Sequence, residues 1–249
     1  MSCFAYGIET LDDIAGGRLK VFQKARGYRF SLDALLLSHF ISLRPADNIL
    51  ELGTGSGVIS LILAGRREDV RITGIDVQQE MVEMAGRSVA LNGLGERMEI
   101  RPGDVRDVKV LFQPRSFDVV VANPPYRKIN SGRINPVKEK ALARHEILAT
   151  AGDFLQAAAY VLKPAGRVYL IYPATRMAEL FSSMRVDRIE PKKLRIVYSQ
   201  TSALGKFLLV EGIMEGGEEL EVLPPLYIHD DKGNYTMEMA NIFRELSSP

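Results

Sequence analysis

A glycine-rich turn is the first part of the sequence whose residue types could do chemistry. It reads Glu51-Leu-Gly53-Thr-Gly55-Ser-Gly57, between a strand predicted over residues 48–52 and an apolar helix. Glycines let backbone N–H groups approach a ligand closely, and a helix N-terminus favours negative charge. Val58 occupies the sixth position of the dinucleotide fingerprint, so that fingerprint is not met. The pattern predicts a nucleotide-like pocket; the alternative is a turn that only packs strand against helix.

Two carboxylates follow the next two predicted strands. Asp76 ends the strand predicted over residues 71–75, and Asp104 follows the one predicted over residues 98–101. A carboxylate in such a position can accept hydrogen bonds from both hydroxyls of a ribose. Since parallel strands end at one edge of a sheet, we expect the chemistry at that edge.

A proline pair follows the strand predicted over residues 117–122, in the tetrad Asn123-Pro124-Pro125-Tyr126. Prolines fix φ and supply no N–H, so the segment is rigid and its carbonyl groups stay available. The Asn123 side-chain oxygen and the Pro124 carbonyl could accept the two hydrogens of a planar NH2 group. Tyr126 can stack on a flat ring. The alternative is a turn that merely ends the strand.

The predicted elements that position these residues alternate between strand and helix along 249 residues. Two last strands, predicted over residues 194–199 and 207–214, are separated by too few residues for a helical crossover and should be antiparallel. The pattern predicts an α/β fold with one doubly wound sheet. Residues 1–45 are predicted to form an N-terminal extension of hairpin and helix, and residues 46–249 the main domain.

Composition excludes several classes of function. The net charge is +1, so a nucleic-acid site must be a local patch. The single cysteine, Cys3, excludes an intramolecular disulfide and a cysteine-built zinc site, and the three histidines lack metal-ligand spacing, so no metal is predicted. Neither a signal peptide nor a membrane helix is predicted, which makes the cytoplasm the expected compartment. The sequence leaves monomer and dimer open.

The three motifs together resemble those of the class I S-adenosylmethionine-dependent methyltransferases. The resemblance implies a Rossmann-like fold with a seven-stranded, mostly parallel sheet and a C-terminal antiparallel strand. It also implies S-adenosylmethionine as cofactor, bound by the Glu51–Gly57 turn (Glu51, Gly53, Gly55, Gly57), with Asp76 on the ribose and Asp104 on the adenine. The Asn-Pro-Pro-Tyr tetrad resembles the signature of amino-group methylation on adenine N6, cytosine N4 or a glutamine amide. Asn123, also beside the cofactor, and Pro124 would then position the amine, and Tyr126 would stack on its ring.

Nearly the whole chain resembles the bacterial tRNA(Val) adenine N6-methyltransferases. The more particular matches are GYRFSLDALLL at residues 27–37, ARHE at residues 143–146 and LPPLYIHDDKGNYTMEM at residues 223–239. This resemblance implies a tRNA substrate, methylated at the adenine immediately 3′ of the anticodon. The alternatives are a protein-glutamine methyltransferase acting on release factors, a ribosomal RNA methyltransferase, and a non-catalytic RNA-binding module that keeps a cofactor pocket.

Basic residues cluster in two segments that could follow the phosphates of an RNA. The alternative is a solvated charged face. The candidate RNA contacts are Lys24, Arg26, Arg29, Arg127, Lys128, Arg133, Lys138 and Arg144.

Overall fold

A nine-stranded, mostly parallel sheet with helices on both faces organises the chain in this computed structural model, which describes residues 9–25, 32–125 and 149–247. The strands are β1 (Glu9–Ile14), β2 (Leu19–Lys24), β3 (Asn48–Leu52), β4 (Arg71–Asp76), β5 (Met98–Pro102), β6 (Phe117–Ala122), β7 (Leu162–Pro173), β8 (Ile189–Tyr198), β9 (Gly205–Met214), β10 (Glu221–Val222) and β11 (Leu226–Tyr227). The helices are α1 (Leu32–Phe40), α2 (Val58–Arg66), α3 (Gln79–Leu91), α4 (Val108–Leu111), α5 (Ala151–Val161), α6 (Met177–Val186) and α7 (Met237–Ser247).

The strand order in the large sheet is β10-β8-β9-β7-β6-β3-β4-β5, with β11 also paired to β8. Strand β9 is antiparallel to both of its neighbours, β7 and β8, and every other pairing in this sheet is parallel. Strands β3 to β8 therefore end at one edge, called the carboxyl edge below. The predicted fold class is confirmed, with the short strands β10 and β11 as additions.

Alternate residues of the central strands face two separate apolar layers. Ile49 and Val119 pack in the layer that contains helices α1, α2, α3 and α7. Leu50 and Val120 pack in the other layer, with α5 and α6. Covering both faces requires continuously apolar strands, which explains the runs in the sequence.

The N-terminal hairpin of β1 and β2 packs on helix α3. Phe22 N donates to Ser88 Oγ (3.0 Å), and Lys20 N donates to Asn92 Oδ1 (2.9 Å) while Asn92 Nδ2 donates to Lys20 O (2.7 Å). The predicted hairpin is thus present, with residues 9–14 as its first strand. The domain division at residue 45 stays a prediction.

Residues 163–166, a Lys-Pro-Ala-Gly segment typical of a turn, lie inside strand β7. Leu162 pairs with Phe117 and Arg167 pairs with Val119, so the intervening residues bulge out of the ladder. Ala165 adopts a left-handed φ of 59° there. The Pro-Ala-Gly composition marks a bend, and strand pairing resumes directly after it.

A buried ion pair joins the start of β3 to β7 at the opposite edge of the sheet. Arg167 and Asp47 are 2% and 4% exposed, and Arg167 Nη2 lies 2.6 Å from Asp47 Oδ1. Arg167 Nη1 also donates to Ser42 O (2.5 Å), and Asp47 Oδ2 accepts from Arg44 N (2.6 Å). Each charge is therefore compensated by hydrogen bonds as well as by its partner.

Replacing Arg167 by methionine should lower the free energy of unfolding by about 3–5 kcal/mol, because the Asp47 carboxylate then stays buried without its partner. Urea unfolding measures this change. The matched control is Arg185→Met, which breaks an exposed pair with Glu190 and should cost at most about 1 kcal/mol. Equal losses in the two variants would contradict the assigned role of the buried pair.

Candidate active site

The predicted functional segments lie in one row along the carboxyl edge. Strands β6, β3, β4 and β5 are neighbours in that order. Asn123 and the glycine turn directly follow β6 and β3, Asp76 is the last residue of β4, and Asp104 lies two residues after the end of β5. Ala122 pairs with Leu52, so Asn123 and Gly53 begin two loops side by side. Adjacent strands are about 4.8 Å apart, which places the tetrad next to the glycine turn.

The three glycines of the turn have left-handed φ angles of 69°, 55° and 81° at Gly53, Gly55 and Gly57. A Cβ on Gly57 would lie 3.2 Å from the Ala85 Cβ in helix α3, so the turn packs tightly there. A Cβ on Gly55, by contrast, would meet no described atom within 4 Å. The turn thus presents open space at Gly55, where a ligand can reach the backbone.

Asp76 lies directly beside this space and is 6% exposed. Its Oδ2 accepts from Gly55 N and its Oδ1 from Gln78 N, both at 2.9 Å. Burial raises the pKa of Asp76 above its ordinary value, while these hydrogen bonds oppose the rise. Each carboxylate oxygen can accept more than one hydrogen bond, so the fixed carboxylate fits the two hydroxyls of a ribose.

Val77, which follows Asp76, is a residue that sequence reasoning missed. Its side chain is 62% exposed although it directly follows a buried strand. An apolar residue exposed next to the Asp76 carboxylate offers a surface for a flat ring. The sequence signal that could have identified Val77 is its position: an apolar residue directly after Asp76, the last residue of β4.

Asp104 lies at the end of the row, and its oxygens are already engaged by Arg106. Oδ1 accepts from Arg106 N (2.9 Å) and from Arg106 Nε (2.9 Å), while Oδ2 contacts Arg106 Nη2. The Arg106 guanidinium holds the pKa of Asp104 below its usual range. Asp104 thus stays charged, and an adenine amine would share it with Arg106. Its adenine-binding role stays a prediction.

Glu51 is buried beneath the glycine turn, and its described contacts are with the protein. Its Oε2 accepts from Thr54 Oγ1 (2.7 Å) and Ser60 N (3.2 Å), and also contacts Ser60 Oγ. Burial raises the pKa of Glu51 to about 7. The side chain therefore ties the turn to the first residues of helix α2. Sequence reasoning named Glu51 but missed these two partners.

The remaining predicted site residues divide between described and undescribed parts of the chain. Asn123 and Pro124 are described, and Lys24 forms a 2.6 Å ion pair with Glu80 at the start of helix α3. The others lie outside the described residues: Tyr126, Arg26, Arg29, Arg127, Lys128, Arg133, Lys138 and Arg144.

Residues 9–25, 32–125 and 149–247 contain neither a candidate metal site nor a candidate membrane-spanning helix. Within these ranges, no group of three or more His, Cys, Asp or Glu side chains is placed to hold a metal ion. In the same ranges, no helix has both the length and the apolar character that crossing a membrane requires.

The raised pKa of Glu51 predicts a pH-dependent stability. The folded state favours the protonated carboxyl, so this contribution is complete below pH 4.5 and declines as the pH rises to about 7. The loss should be about 3 kcal/mol, and Glu51→Gln should remove it. Urea unfolding of both proteins at pH 5 and pH 8 measures the difference. The same pH dependence in both would contradict the assignment.

Comparison with known proteins agrees with this geometry. A family model described as "Methyltransferase domain" matches residues 43–223. A tRNA1(Val) (adenine(37)-N6)-methyltransferase of Porphyromonas gingivalis strain W83 is 32% identical over 189 residues, which are 74% of this chain and 73% of the relative. A protein of the same name from Actinobacillus succinogenes is 28% identical and covers 86% of this chain and 87% of its own.

Solved structures support the fold. A crystal structure described as a predicted O-methyltransferase from Agrobacterium tumefaciens superposes with a TM-score of 0.70 at 22% identity, covering 87% of this chain and 98% of the other. At that identity the likeness concerns the fold alone. The family model and the relatives go further: this chain belongs to the methyltransferase domain family and, within it, to the family of the tRNA1(Val) (adenine(37)-N6)-methyltransferases.

Proposed function

We propose that this protein transfers a methyl group from S-adenosylmethionine to the exocyclic N6 of an adenine in tRNA. The observation that carries the proposal is the register of β3 and β6, which sets Asn123 beside the glycine turn. The names of the relatives support the finer proposal, that the target is the adenine 3′ of the anticodon in a valine tRNA. The cofactor follows from membership of the family.

The proposed chemistry depends on holding a weak nucleophile in place. The lone pair of an adenine amine is delocalised into the ring, so the nitrogen reacts poorly on its own. We infer that the Asn123 side-chain oxygen and the Pro124 carbonyl accept its two hydrogens and favour a pyramidal nitrogen. When bound, S-adenosylmethionine supplies an activated methyl group on a sulfonium. The main contribution of the protein is then alignment of the reacting atoms.

A target adenine must leave its stack to reach this place. We infer that Tyr126 stacks on the flipped base, as an aromatic ring directly after the two prolines can do. Bases in RNA loops are partly unstacked, which lowers the cost of flipping. The N-terminal extension, residues 1–45, and the basic residues after the tetrad are proposed to contact phosphates nearby.

The ribose-binding role proposed for Asp76 predicts that Asp76→Asn weakens binding of S-adenosylmethionine about 10-fold or more. The reason is that a neutral amide accepts weaker hydrogen bonds than a carboxylate does. Isothermal titration calorimetry measures the dissociation constant. Asp118→Asn is the control: this carboxylate likewise accepts two hydrogen bonds, from Asn48 N and Lys163 Nζ, but lies at the opposite edge of the sheet. Unchanged affinity in Asp76→Asn would refute the role.

The alignment role of Asn123 predicts that Asn123→Ala binds S-adenosylmethionine normally but transfers methyl groups about 100-fold more slowly. The assay incubates protein and radiolabelled S-adenosylmethionine with unmodified tRNA or with a release factor, and digests the products to nucleosides or amino acids. Asn241→Ala, in helix α7, is the control and should keep full activity.

Label in N6-methyladenosine from a valine tRNA supports both the chemistry and the substrate. Label in a glutamine of the release factor would retain the amino-group chemistry and refute the tRNA proposal. Full transfer by Asn123→Ala would refute the mechanism whatever the substrate.

A further inference from the structure

The carboxyl edge has a second half, on the side of Asn123 that faces away from the proposed cofactor residues. The glycine turn, Asp76 and Asp104 lie at the ends of β3, β4 and β5. On the other side of β6, the edge carries the ends of β7, β8 and β11 and the beginning of β9. With the cofactor on the first half, a large substrate that presents its amine at Asn123 has to extend over the second half.

Two tyrosines lie side by side at the far end of this second half. Tyr198 and Tyr227 are register partners on the parallel strands β8 and β11. Their ring centroids are 5.4 Å apart with an angle of 34° between the planes. Both side chains are half-buried, so the rings are fixed by their strands yet still reachable from solvent. Fixed, partly exposed aromatic rings are the surfaces on which unpaired bases stack.

A cationic side chain lies between these tyrosines and the tetrad. The guanidinium of Arg176 lies 4.9 Å from the centroid of the buried Tyr172 ring. Arg176 Nε donates to Glu179 Oε2 (2.9 Å), which fixes the guanidinium over the ring. This ion pair offsets part of the positive charge, but a guanidinium held flat on a ring can also stack on a base.

Strand β9, which lies between β7 and β8, starts with a glycine, Gly205. A Cβ on Gly205 would lie 3.3 Å from the Ala174 Cβ and 3.9 Å from the Tyr198 ring. Ala174 and Tyr198 therefore flank Gly205 closely. The next residue, Lys206, is exposed and adds a second cation at this edge, with its ammonium 5.2 Å from the centroid of the Phe207 ring.

We propose that Arg176, Lys206, Tyr198 and Tyr227, called the aromatic track below, bind the loop nucleotides that flank the target adenine. The inference rests on the proposed tRNA substrate. Tyr198 is three strand spacings from Asn123 and three residues further along β8 than its level, roughly 17 Å in all, a reach of a few nucleotides. Stacking rings with two cations match single-stranded RNA, whose bases are exposed and whose phosphates are negative. Base stacking is tolerant of sequence, so the track contributes affinity and leaves base selection to other contacts.

The test compares tRNA binding by the wild-type protein and by Tyr198→Ala/Tyr227→Ala. The double variant should raise the tRNA dissociation constant about 10-fold or more, with unchanged affinity for S-adenosylmethionine. Tyr198→Phe/Tyr227→Phe keeps both rings and should bind tRNA within about 2-fold of the wild type. Tyr160→Ala is the matched control, because Tyr160 is also half-buried and lies 5.8 Å from the Lys109 ammonium, but at the far end of helix α5.

A second measurement needs no variant. Ultraviolet crosslinking of the wild-type protein to unmodified tRNA should label peptides that contain Tyr198 or Tyr227. Normal tRNA affinity in the double alanine variant would refute the proposed role of the aromatic track. Crosslinks that avoid both peptides would refute it as well. In either case, tRNA methylation by the wild-type protein would still support the proposed function. A wild type that methylates only a release factor would overturn both.

Discussion

The parallel pairing of β3 with β6 is the constraint on which the rest of the site depends. It aligns Leu52 with Ala122, so both strands end at the same level. Strand β3 then leads into the glycine turn, and strand β6 leads into the proline-rich tetrad. A shift of one residue would turn each side chain of β6 to the other face of the sheet, exchanging the two apolar layers. The register of β3 and β6 therefore fixes the distance between the two motifs.

The glycine turn is held from beneath by a buried acid. Glu51 accepts hydrogen bonds from both ends of the turn region, at Thr54 and Ser60, and Asp76 accepts one from Gly55. Two carboxylates thus fix backbone that has left-handed φ and would otherwise be free to move. Because Glu51 is removed from solvent and Asp76 lies nearby, the pKa of Glu51 rises to about 7, while the hydrogen bonds from Ser60 and Thr54 oppose the rise.

Much of the fold could be predicted from the sequence because its signals are local. Apolar runs in the sequence predict strands β3 and β6. The connection between the last two predicted strands is too short for a helical crossover, which predicts that β9 is antiparallel. The positions of Asp76 and Asn123 followed from strand ends. Contacts between distant segments could not be predicted this way: the pair of Arg167 with Asp47 joins residues with no shared motif. The bulge in β7 could not be predicted, because a Pro-Ala-Gly segment is as typical of a turn between two elements as of a bulge within one strand.

The antiparallel β9 also has a consequence for substrate access. A strand that runs against its neighbours begins where they end, so the connection from β8 to β9 lies at the carboxyl edge. Gly205 and Lys206 are placed there by this reversal, next to Tyr198, and β11 adds Tyr227 in register. A parallel β9 would instead have required a long crossover and a start at the opposite edge. The same topological feature that completes the sheet thus extends the carboxyl edge beyond the tetrad, on the side away from the proposed cofactor residues.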